Sequence, residues 1–196
     1  MLNQRRAEDA AASIASVHET ADDLRALQEL LDRSYATAGS HLKSIIRPDR
    51  RVSAEELAGR LTGMRLLALA TVTADGRPIV GPVDGIFFRG AFHFGTAPDA
   101  VRWRHICARP QVSATHLPGE EFAVTVHGRA VPVDIRSDAG VDVRQTLLEV
   151  YVPRYGPQFE RFLDGGTGDG PEPPQPPVYA RIEARRMFSF QTAPAA

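Results

Sequence analysis

The chain has 196 residues, 43% of them hydrophobic and 24% charged, with a formal net charge of −1. That length supports one substantial domain, whose core at this size buries roughly 70% of the unfolded surface without disulfide or metal staples. The near-neutral balance excludes a broad electrostatic drive onto nucleic acid or an anionic membrane surface. Cys107 is the only cysteine, so no internal disulfide forms. No run approaches ~18 apolar residues and no signal-peptide core opens the chain, so the expected setting is the cytoplasm. Of 23 basic residues only Lys43 is a lysine, so an anion site must be built from arginine, backbone N–H groups and hydroxyls.

In chain order, residues 1–19 are polar and alanine-rich and read as a loose extension. Thr20-Ala21-Asp22-Asp23 has the form of a capping box. Leu24, Leu27, Leu31 and Tyr35 follow at helical spacing and make an apolar stripe that needs a cover, either the rest of the chain or a second subunit. Ser53-Ala54-Glu55-Glu56 is a second helix start, with Gly63 near its end. These helices form an N-terminal extension, 1–63, ahead of a main domain, 64–196.

Leu66 to Val72 is a continuous apolar run, expected as a strand buried on both faces. Ala74-Asp75-Gly76-Arg77 turns the chain, and Pro78 to Phe88 returns as a second strand. Its two prolines and two glycines fit poorly in a central ladder and place it where the sheet opens. Ala91 to Phe94 is a third strand. Thr96 and Asp99 then read as a capping box for a helix that stops before Pro110, and Gln111 to His116 is a fourth strand. Phe122 to Val133 alternates as a long fifth strand with a bulge at Gly128. Asp138 is the expected cap of a helix carrying Val143, Leu147, Leu148 and Tyr151 and ending near Pro153. Asp164 to Pro177 is nearly all Gly, Pro and acidic residues and reads as a mobile loop. Val178 to Phe190 alternates as the last strand. The expected fold is mainly β (α+β), a six-stranded antiparallel barrel with flanking helices.

From Leu66 to Val112 the sequence resembles the pyridoxamine 5′-phosphate oxidase-like, FMN-binding split-barrel superfamily. The strand LLALATV, the turn ADGRP, the third strand ending in Gly95-Thr96 and the helix VRWRHICARP carry the resemblance. It implies a homodimeric split barrel that binds FMN, or the deazaflavin F420, between subunits and acts as a flavin-dependent oxidoreductase on a small-molecule substrate. Position by position, Thr96 and Arg102 would hold the cofactor phosphate, Pro82, Val83 and Asp84 would lie near the flavin ring, and Gly95 is a further cofactor-binding position. Ala97 and Ala100 stand where many relatives place a basic residue and a serine, and His105 where asparagine is usual. The rival reading is a non-catalytic split barrel that stores, senses or carries a flavin, haem or another ligand. No metal-ligand spacing such as His-Glu-x-x-His occurs, and no Gly-x-Gly-x-x-Gly or Walker loop. Trp103 and Phe92 read as packing residues and Cys107 as a small buried one.

Overall fold

The computed structural model describes residues 18–166 and 175–192. The loose extension expected before Thr20 and the centre of the Gly/Pro loop expected at 164–177 lie outside them. Helix α1, Ala21–Ala36, starts at the expected box: Thr20 Oγ1 accepts from the Asp23 N–H at 3.2 Å, and Asp23 accepts from the Thr20 N–H at 2.9 Å. A short helix α2, Ser40–Ile45, was not legible in the sequence; it lacks a side-chain cap and buries none of its residues. Helix α3, Ala54–Arg60, opens with Ser53 Oγ accepting from Glu56 N–H.

Six strands follow: β1 Met64–Val72, β2 Pro78–Phe88, β3 Ala91–Thr96, β4 Gln111–His116, β5 Phe122–Val133 and β6 Val178–Gln191. They close into an antiparallel barrel in the order β1-β2-β3-β6-β5-β4. Helix α4, Val101–Ala108, links β3 to β4, and α5, Val141–Tyr155, and α6, Gln158–Leu163, link β5 to β6. The bulge expected at Gly128 is present as a register shift between His127 and Gly128, where a Cβ would overlap the Glu183 carbonyl. No helix among the described residues is long and apolar enough to cross a membrane.

Three local expectations are corrected. Thr96 does not cap α4; it is the last residue of β3, paired with Val178, and α4 starts at Ala100 without any side-chain cap. Asp138 opens a single 3₁₀ turn, and α5 begins behind Gly140. That helix does end near Pro153, as expected: Pro153 rides in its last turn and the chain leaves at Gly156 with φ +81°. Cys107 is exposed rather than buried.

Two apolar clusters hold the structure together. The first fills the barrel with Phe87, Phe92, Phe94, Val124, Val126 and Ile182, and extends to Leu27, Leu31, Leu57 and Leu61 of the N-terminal helices. The Leu27-Leu31-Tyr35 stripe is therefore covered within the chain, against β6. Polar groups finish that contact. Ser34 Oγ accepts from Met187 N–H at 3.0 Å, and the Tyr35 hydroxyl accepts from Ser189 N–H at 3.0 Å while donating to Ser189 C=O at 2.8 Å. The second cluster lies outside the barrel, where α5 and α6 pack Val143, Leu147, Tyr151, Phe159 and Leu163 onto Ile86 and Phe88.

Candidate functional site

The short β3 leaves β2 half-partnered. β3 reaches only Gly85–Phe88 of β2, so Pro78–Asp84 is hydrogen-bonded to β1 alone. The expectation that the sheet opens at this strand holds for that half. Alternation sends Val83 and Phe87 into the barrel and Asp84, Ile86 and Phe88 outward. The second cluster covers Ile86 and Phe88, but Asp84 is exposed beyond it.

Two concavities flank this open strand. In the smaller, about 220 Å³, Thr71, Gly81, Arg102 and His105 meet. Arg102 reaches back from α4 and donates from Nη1 to the Pro82 carbonyl at 2.8 Å. Gly81 makes room for it, since a Cβ there would stand 3.1 Å from Arg102 Nη2. The Thr71 hydroxyl and His105 Nδ1 share a hydrogen bond of 3.0 Å. The result is a guanidinium held by one nitrogen beside a hydroxyl and an imidazole, a donor set that suits an oxyanion.

The larger concavity, about 570 Å³, lies between the open strand and α5–α6. Tyr151, Tyr155 and Phe159 form a ladder of near-parallel rings: Tyr151 and Phe159 are 4.8 Å apart at 21°, and Tyr151 and Tyr155 5.9 Å apart at 11°. Phe162 and Tyr179 add two more rings, and Asp84 is the one charged side chain in the lining among the described residues. Gly95 lets the Tyr179 ring lie on the β3 backbone; a Cβ there would be 2.9 Å from Cε1. Burial, and then the Asp84 charge, push the Tyr151 and Tyr179 hydroxyls well above the ordinary tyrosine range, so both remain protonated donors.

The pyridoxamine 5′-phosphate oxidase sequence profile matches residues 53–163, more than half of the chain. The chain belongs to the pyridoxamine 5′-phosphate oxidase family. No curated protein matches it. Among solved structures, the conserved hypothetical protein Rv2991 of Mycobacterium tuberculosis is 21% identical, with a TM-score of 0.55 over 74% of this chain and 88% of that one. HutZ, the haem storage protein of Vibrio cholerae, is 21% identical with a TM-score of 0.51, over 65% of this chain and 85% of its own. Both share the barrel.

Within this family's split barrel, the residues named from the sequence divide between the two concavities. Arg102 stands in the smaller one, while Asp84, Gly95 and Thr96 line the larger. Thr96 and Arg102 therefore do not converge on one spot, because β3 runs two residues past Phe94 and carries Thr96 across to β6. Pro82 is exposed and offers its carbonyl to Arg102, and Val83 is buried with its side chain in the core. His93, His105 and His116 do not meet: His93 contacts the Ala91 carbonyl, His105 contacts Thr71, and His116 contacts the Leu66 carbonyl. Among the described residues no three His, Cys, Asp or Glu side chains are gathered to hold a metal ion.

Sequence reasoning missed Thr71 and the whole aromatic wall. A signal for the wall was present: Tyr151, Tyr155, Phe159 and Phe162 recur at +4, +4 and +3, the period of one helix face. The kink at Gly156-Pro157 hid that period by dividing it between two helices.

Proposed function

We propose that this protein is a cytoplasmic, homodimeric flavin-dependent oxidoreductase acting on a small molecule, with FMN or F420 as cofactor. The carrying observation is the Arg102 guanidinium, laid against Gly81 on the half of β2 that β3 leaves uncovered, with donors to spare. Arg102, with Thr71 and His105 beside it, would hold the cofactor phosphate. Pro82 on the exposed face of β2 and the backbone of Val83 would stand nearest the ring, with Asp84, Gly95 and Thr96 beyond its edge, where the larger concavity begins. When bound, the flavin would supply two-electron redox chemistry; the chain would bind it, orient it and exclude water. The dimer rests on the outer face of β1 and β2, where Leu66 is 58% and Val80 65% exposed beside Ala68 and Pro82, an apolar patch of the kind that interfaces cover.

Titrating FMN and F420 into the wild type and Arg102→Ala tests the assignment. Loss of one charge-assisted bond is expected to weaken the binding by about 1.5–3 kcal/mol, roughly ten- to a hundredfold. Equal affinities for the two proteins would remove Arg102 from the site. Light scattering at micromolar concentration tests the dimer, and a monomer mass would overturn it.

One observation favours the second reading, a non-catalytic carrier of a flavin, haem or other ligand. Ala97 and Ala100 place no polar side chain at the start of α4, so a phosphate there has few donors besides Arg102. His105, the histidine of the smaller concavity, would be the residue for a haem iron. Saturable haem binding lost in His105→Ala, with no flavin binding, would decide for the carrier.

A further inference from the structure

The larger concavity has a composition that points to its occupant. Its walls are rings: Tyr151, Tyr155 and Phe159 present a near-parallel ladder, with Phe162 and Tyr179 completing the enclosure. Such walls favour flat ligands, which stack or meet ring edges at little cost in polar desolvation. The Asp84 carboxylate has no hydrogen bond or ion pair among the described residues. It lies close enough to Tyr151 and Tyr179 to act on both hydroxyls, and neither hydroxyl has a hydrogen-bond partner among them. Among the described residues no arginine, lysine or histidine lines the cavity; Arg144 and Arg154 act on Tyr179 and Tyr151 only from beyond the lining. A carboxylate at the edge of a π-rich enclosure attracts a cation twice, once by direct pairing and once through the ring faces. An anionic ligand would meet an unbalanced like charge there.

We infer that this cavity, bounded by Asp84 on β2 and the aromatic ladder of α5–α6, is a substrate site for flat aromatic compounds bearing a cationic or N–H-donating nitrogen. This rests on the oxidoreductase reading and names its substrate class. Asp84 pairs with the nitrogen, the ladder stacks the ring, and the free Tyr151 and Tyr179 hydroxyls are left to bond polar substituents. Asp84 thereby serves the substrate.

The test uses the full-length protein and two flat three-ring probes of opposite charge, proflavine as the cation and 9-anthracenecarboxylate as the anion, with binding read by fluorescence anisotropy. Proflavine is expected to bind saturably at one site per chain and at least tenfold more tightly than the anthracene acid. Asp84→Asn is expected to remove that preference, because only the charge changes. Tyr155→Ala, at a partly exposed ring of the ladder, is expected to weaken both probes severalfold. Thermal melts of both variants near the wild-type value show that the fold is kept. Equal affinity for the two probes, or an Asp84→Asn protein that retains the preference, overturns the site. FMN or F420 that displaces proflavine competitively also overturns it, because the cavity would then hold the cofactor ring. A protein that binds neither flavin yet keeps the Asp84-dependent preference for proflavine supports the site and overturns only the flavin assignment.

Discussion

β3 is too short for its neighbours, and the barrel has a gap at each of its ends. Beyond the Ala91 end, β6 from Glu183 onward pairs only with β5; beyond the Thr96 end, β2 before Gly85 pairs only with β1. The first gap is sealed. α1 lays Leu27 and Leu31 over it, and the hydroxyls of Ser34 and Tyr35 stand in for a missing strand by serving the backbone of Met187 and Ser189. Unpaired backbone groups under an apolar helix are expensive, so these hydroxyls are what allow the helix to sit there. The second gap is only bridged. α4 sends one arginine to one carbonyl, and apolar side chains, a carboxylate and two concavities remain beside the strand. The same topological defect is closed for stability at one end and left open at the other, where the proposed ligand sites and interface lie.

The sharpest contrast is expected from truncation in the sealed gap. Leu31 is fully buried, so Leu31→Ala is expected to cost about 2–5 kcal/mol in denaturant unfolding. A loss near zero would mean that α1 is not part of the folding unit. Where the ring of strands is continuous, pH probes the interior. Burial depresses the pKa of His93 from 6.5 to about 4, so the folded state resists a proton that the unfolded chain accepts. Stability should be full above pH 6.5 and fall as the pH drops towards 4, by roughly 3 kcal/mol from this residue. A His93→Phe variant, compared over the same range, should show a flatter profile.

A smaller loss isolates the polar seal. Tyr35→Phe keeps the ring but strands the Ser189 N–H, and is expected to cost about 1–3 kcal/mol with little change in the denaturant slope. At the open gap the outcome reverses. Val80 is 65% exposed, so Val80→Thr is expected to alter chain stability by no more than about 0.5 kcal/mol. The same substitution should weaken self-association measured by sedimentation, since a hydroxyl replaces a methyl on the proposed interface. A Val80→Thr protein as unstable as Tyr35→Phe would erase the distinction between the two gaps.

Much of the fold was determined by the sequence alone, because its punctuation is strong. Gly76 with Pro78 bounds β2 and Pro110 bounds β4, and these strands and the alternating β5 run over the expected residues. The Thr20 box and the Gly128 bulge are likewise local chemistry, decided within a few residues. The tertiary structure decided what depends on distant partners. The α1 stripe could face the barrel or another subunit, and only the position of Met187 and Ser189 settles it. Thr96 has the side chain of a cap, yet pairing with Val178 holds it in a strand, since a ladder bond across the barrel outweighs a local one. The aromatic cavity needs Asp84, Tyr151 and Tyr179 from three elements, brought together because β3 stops short and α5 folds back over the opening.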